Sequence, residues 1–158
     1  MNPECKSLHF TTTEKIVAAI PFSTSIIIGA YGLWQISWML TVAYLFFAYG
    51  GILLMMRYTI CPRCPHLLEG NDCLNLPPAI AKKIIASNRK GTLNFHENLL
   101  HKMVKYGILL IPIYWLMPNF YLLIPFVVTY FVGQAIFTFY FCKHCKNTYC
   151  FQNKNSEV

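Results

Sequence analysis

An all-α integral membrane protein, with four transmembrane helices paired as two hairpins, is the fold class the sequence predicts. Three observations carry it. Four apolar runs have bilayer length, the basic residues gather on one side of those runs, and each hairpin leads straight into a C-x-x-C cysteine pair. Hydrophobic residues make up 56% of the 158 positions and charged residues only 12%. A soluble domain carries about 25% charged residues, so much of this surface must face lipid rather than water.

The spans fall at about 14–34, 38–56, 99–117 and 120–141, each close to the ~20 residues that cross a hydrocarbon core. Within one membrane domain, 1–158, they leave a cytoplasmic loop at 57–98 and a cytoplasmic tail at 142–158. Thr11 and Glu14 form a capping box ahead of the first run, and a helix from there points Glu14 and Lys15 at the headgroups. Mixed charge signs and the lack of a small-residue cleavage pattern predict that this run stays in place as a span. Pro21 followed by Ser23, Thr24 and Ser25 predicts a kink whose freed carbonyls meet nearby hydroxyls. Tyr31, Trp34 and Trp38 mark the outer interface, as do Tyr114, Trp115 and Tyr121 in the second hairpin. Gly50-Gly51 invites close approach of a neighbouring helix. The third span carries Pro112, and it reaches full length only if His101, Lys102 and Lys105 occupy its first turns, with the lysine amines in water. In the loop, Pro77-Pro78 opens a short amphipathic helix through Lys82 and Lys83, which lies on the membrane surface. Asn94 and Glu97 open the helix that runs into the third span.

Charge sets the orientation. All 13 Lys and Arg lie in the N-terminal tail, in the segment around and between the second and third spans, or in the C-terminal tail. The two opposite turns, at Gln35 to Ser37 and at Pro118-Asn119, carry none. By the positive-inside rule the charged side, with both termini, is cytoplasmic. The net charge of +7 is therefore a topology signal and an attraction to anionic headgroups. No basic face with a nucleic-acid motif accompanies it, so no nucleic acid is expected as a partner. The 6 acidic residues are all peripheral, which removes an intramembrane proton-carrying carboxylate. No phosphate loop, nucleophile elbow or zinc-protease motif occurs, and no catalytic residues are assigned.

All 7 cysteines and all 5 histidines share the cytoplasmic side, where thiols stay reduced and paired cysteines are expected to bind metal rather than each other. Six cysteines form two triplets, Cys61, Cys64 and Cys73, then Cys142, Cys145 and Cys150, with the C-x-x-C pairs offset by 81 positions. The halves thus repeat in architecture, and a four-helix bundle would set both triplets side by side. Cys61, Cys64, Cys142 and Cys145 make up the donor set of one shared tetrahedral zinc site, which would serve a membrane anchor or assembly subunit. Alternatively, the Cys-Pro steps and the third cysteines suit iron-sulfur clusters, with Cys5, His66 or His144 completing a ligand set. The protein would then be an electron-transfer subunit between a cytoplasmic redox partner and a membrane quinone. A soft-metal relay or thiol redox protein is the third reading. In each case Arg63, Lys143 and Lys146 favour ionised thiolates. The expected partners are the lipid bilayer and a protein on the cytoplasmic face, with homo- or hetero-oligomers allowed.

Overall fold

A computed structural model of the chain describes residues 10–64, 67, 72–74, 77–84 and 93–142; of Pro78, Ile84 and Cys142 it describes the backbone. Helix α1 spans Thr12–Trp34 and α2 spans Trp38–Met55. A π-helical turn, Met56–Ile60, and a 3₁₀ turn, Cys61–Arg63, extend α2. The short α3 covers Pro78–Ile84, α4 covers Phe95–Leu116, and α5 covers Phe120–Ala135 before a second π-helical segment, Ile136–Cys142. No strand occurs among the described residues.

Four of these stretches, Thr12–Trp34, Trp38–Arg63, Phe95–Leu116 and Phe120–Phe141, are long and apolar enough to cross a membrane. Only 17% to 33% of their most apolar windows is buried within the protein. Phe46, Tyr121 and Trp38 point outward with many other large apolar side chains. Such a surface is stable in lipid and would be costly in water, so this is a membrane protein. The second and third spans extend further toward the charged end than the apolar runs alone suggest. Backbone hydrogen bonding continues past Arg57, and the third helix opens at Phe95.

The helices alternate in direction. Helix α1 makes its broadest contact with α5; α2 bridges α1 and α4, and α4 reaches both α1 and α5. Ile26, Ala30, Leu33, Tyr44, Ala48, Val104, Ile108 and Tyr130 form the core between them. A Cβ added at Gly51 would stand 3.1 Å from Val104, so this residue provides a close α2–α4 crossing. Gly50 meets nothing within 4 Å and faces outward, so one of the two glycines makes the contact.

The helix prolines are served unequally. Pro112 has no N–H to give the carbonyl of Ile108 four residues back. The Tyr44 hydroxyl donates to that carbonyl at 3.3 Å from the neighbouring helix. Near Pro21, the buried Ser25 hydroxyl donates to Phe22 O at 2.9 Å, which is not a carbonyl the proline frees.

The α1 start, the α2 end, the α4 start and the α5 end lie at one end of the bundle. They are joined there by Lys15 to Asp72, Arg63 to Glu97, Tyr140 to Glu14 and Phe10 to Phe141. Cys61 and Cys64 lie at this end, and the backbone of Cys142 reaches it.

Candidate metal centre

The π-helical turn after α2 sets the direction of the first triplet. The Cys61 amide donates to Met56 O, five residues back, so the helix is one residue wider per turn as it ends. Thr59 supports the widened turn by donating its hydroxyl to Met55 O. Pro62 then sits in the first turn of the 3₁₀ segment, where a missing N–H costs little. Cys64 N donates to Cys61 O at 3.2 Å, and Leu67 N donates to Cys64 O at 3.2 Å. This tight turn holds the two C-x-x-C cysteines on one side of the chain.

Cys73 returns to the same place. Its side chain shares a hydrogen bond with that of Cys61, and Cys64 is near enough to Cys61 to interact electrostatically. Cys61 and Cys73 are buried, Cys64 is half-buried, and all three are free of disulfides. Met56, Leu67 and Ala81 close an apolar shell around them. Ala81 belongs to α3, which therefore covers the triplet through Ala81, while Ile80 on the same short helix stays exposed.

Asp72, next to Cys73, anchors this loop to the start of α1. Its carboxylate accepts from Phe10 N at 2.7 Å, from Lys15 Nζ at 2.6 Å and from Cys73 N at 2.8 Å. Burial pushes the Asp72 carboxyl upward, but the Lys15 hydrogen bond and the two amides outweigh it and hold the group below its ordinary value. Lys15 thus serves the cysteine loop instead of a headgroup. Glu14 is occupied in the Thr11 cap and by Tyr140, whose hydroxyl lies 3.5 Å away.

Arg63 lies between the two C-x-x-C cysteines and is buried. Its guanidinium donates to Glu97 Oε2 at 2.8 Å, to Tyr58 O at 3.4 Å and to Thr59 O at 3.5 Å. The same Glu97 oxygen accepts from Asn94 N at 2.9 Å and so caps α4. The expected role of Arg63, to favour ionised thiolates, changes accordingly, because a buried carboxylate balances its charge. In the sequence, Glu97 reads as a capping residue and Arg63 as a local charge. The only signal pairing them was an arginine inside a cysteine turn together with an acid at a helix start.

The second triplet begins at the same end. Its lead-in, Ile136–Cys142, is again π-helical. Phe141 packs edge-on against Phe10 with ring centroids 6.3 Å apart, and Phe10 is the residue whose amide binds Asp72. A short chain of contacts, from Cys73 through Asp72, Phe10 and Phe141, therefore leads to the backbone of Cys142. A cavity of about 280 Å³ at this junction is lined by Thr13, Glu14, Val17, Ile136, Tyr140 and Phe141. It is almost wholly apolar and holds no donor set for chemistry. Cys145, Cys150, His66, His144 and Cys5 lie outside the described residues. His96 is exposed at the α4 start, and His101 is buried in α4.

Cysteine thiols are the donor type for zinc or an iron-sulfur cluster, so the residue chemistry suits a metal. As the side chains stand, no three His, Cys, Asp or Glu among the described residues form a closed ligand set. Cys61 meets Cys73 through a side-chain hydrogen bond and has Cys64 nearby. Family models, curated proteins and solved structures yield no match to this chain.

Proposed function

We propose that this chain is a small integral membrane protein that binds a metal ion through its cysteine triplets on the cytoplasmic side, and that it acts as a membrane anchor or assembly subunit for a protein partner there. The observation that supports this most is the return of Cys73 to Cys61 beside Cys64. In a reducing compartment, paired cysteines are expected to bind metal rather than each other. Cys61 and Cys64 hold the ion on the first hairpin with Cys73 beside them, and Cys142 with Cys145 supplies the two donors from the second. Bound zinc would pin the ends of the two hairpins together and add its binding free energy to the fold.

An iron-sulfur centre is the second reading, favoured by the gathering of a third cysteine beyond the C-x-x-C pair. Zinc needs two sulfurs from each hairpin, while a cluster has use for the third. Metal analysis of anaerobically purified protein separates the two. Colourless protein with stoichiometric zinc is expected; broad visible absorption with iron would transfer the assignment to electron transfer, and protein without either metal would overturn both. Cys61→Ser and Cys142→Ser, made separately, are each expected to release the whole metal content of a shared site. Retention of half the metal in each variant would instead establish two independent centres.

A further inference from the structure

Arg63 and Glu97 are ionised residues buried beside the cysteine turn, and the anchor role proposed above makes no use of them. A buried charge is retained at a high desolvation cost, so its partner and geometry carry meaning. Arg63 joins three elements. It donates to Glu97 on α4, and to the carbonyls of Tyr58 and Thr59 inside the π-helical turn, while its own backbone lies within the C-x-x-C loop. The carbonyls of a widening helix end lack regular partners, and Arg63 supplies one. Glu97 is itself immobilised, because the oxygen that receives Arg63 also receives Asn94 N at 2.9 Å. The orientation of the cysteine turn is thus referred to the N-terminus of α4, a helix that contributes no cysteine.

Resting on the metal-centre reading, we infer that Arg63 and Glu97 are a positioning pair for the first cysteine triplet: they fix the turn between Cys61 and Cys64 so that both sulfurs meet one ion. The pair also couples metal occupancy to the seating of α4 on α2, since the ligand loop and the helix cap share one carboxylate oxygen. Groups that orient metal ligands from behind contribute about 10- to 100-fold in affinity, and this pair is expected to act in that range.

Cobalt(II) titration of the full-length protein in detergent, under anaerobic conditions, tests this, because sulfur-to-cobalt absorption reports ligation and ligand-field bands report geometry. Glu97→Gln retains a side-chain acceptor for the Asn94 amide while removing the charge that Arg63 meets. It is expected to weaken cobalt binding by about 10-fold and to alter the ligand-field bands. Arg63→Lys keeps the charge but loses the fork that reaches Glu97 and the π-turn carbonyls together. It is expected to behave likewise, and it preserves the test if the first variant does not fold. Wild-type affinity and band shape in the folded fraction of both variants, whatever their thermal stability, would overturn the positioning role while leaving the metal centre intact. Absence of any sulfur-to-cobalt band in the wild type would overturn the metal centre and the positioning role with it.

Discussion

Pro112 leaves the Ile108 carbonyl without its helical donor in a lipid environment where water does not substitute, and the Tyr44 hydroxyl fills the gap from α2. The gain from this contact depends on the proline, which makes it separable by a double-mutant cycle. Tyr44→Phe is expected to destabilise the protein by about 1 kcal/mol, measured by reversible unfolding in mixed micelles. In a Pro112→Ala background, where the backbone donor is restored, the same change is expected to cost about half as much or less. Equal costs in the two backgrounds would show that the phenol serves packing alone. Neither this bond nor the Arg63–Glu97 pair was legible in the sequence. Each joins residues on different helices, and no periodicity within one segment sets the register between two. The Asn94 and Glu97 spacing was legible, since a helix start is local, but only half of what Glu97 does is local.

Helix α2 presents Gly50 and Gly51 as neighbours with opposite surroundings. A Cβ at Gly51 would lie 3.1 Å and 3.2 Å from the two Val104 methyls, whereas Gly50 meets nothing within 4 Å. Gly51→Val is therefore expected to overpack the α2–α4 crossing and cost about 1–3 kcal/mol. Gly50→Val, facing lipid, is expected to change thermal stability little. Comparable losses for both would mean that α2 is rotated from the orientation described. Existence and extent of the helices were readable because bilayer length is a property of the local run, and helix caps are local too. The ends were less so. The apolar run of α2 stops at Arg57, yet its hydrogen bonding persists through a π-helical turn and a 3₁₀ turn to Arg63, held by Thr59 and by Arg63 itself. The repeat of the two hairpins, visible as C-x-x-C spacing, reaches further than spacing could tell, because both spans become π-helical immediately before their cysteines. Helix geometry of this kind concentrates at functional sites, and here it occupies equivalent points of the two hairpins.

At the scale of the molecule, alternating helix directions put the start of α1, the loop and the end of α5 together, and they are tied there by ion pairs and ring contacts. The opposite end carries only short, uncharged turns with exposed Gln35, Met117 and Pro118. The cysteine-bearing end could be inferred from charge placement, since basic residues resist translocation. That Cys73 folds back on Cys61 could not, because nothing in the 11 intervening positions encodes the return. The same asymmetry predicts an orientation in the membrane that labelling can test. Gln35→Cys and Met117→Cys are expected to react with a membrane-impermeant maleimide in intact cells, above the signal of the parent protein. Lys82→Cys, exposed on α3 at the charged end, is expected to react only after permeabilisation. Labelling of Lys82→Cys from outside, with Gln35→Cys protected, would invert the topology and place the thiols in an oxidising compartment. Disulfides would then replace metal as the expected state of the triplets, so this measurement constrains the chemistry of the cysteines as directly as it constrains the fold.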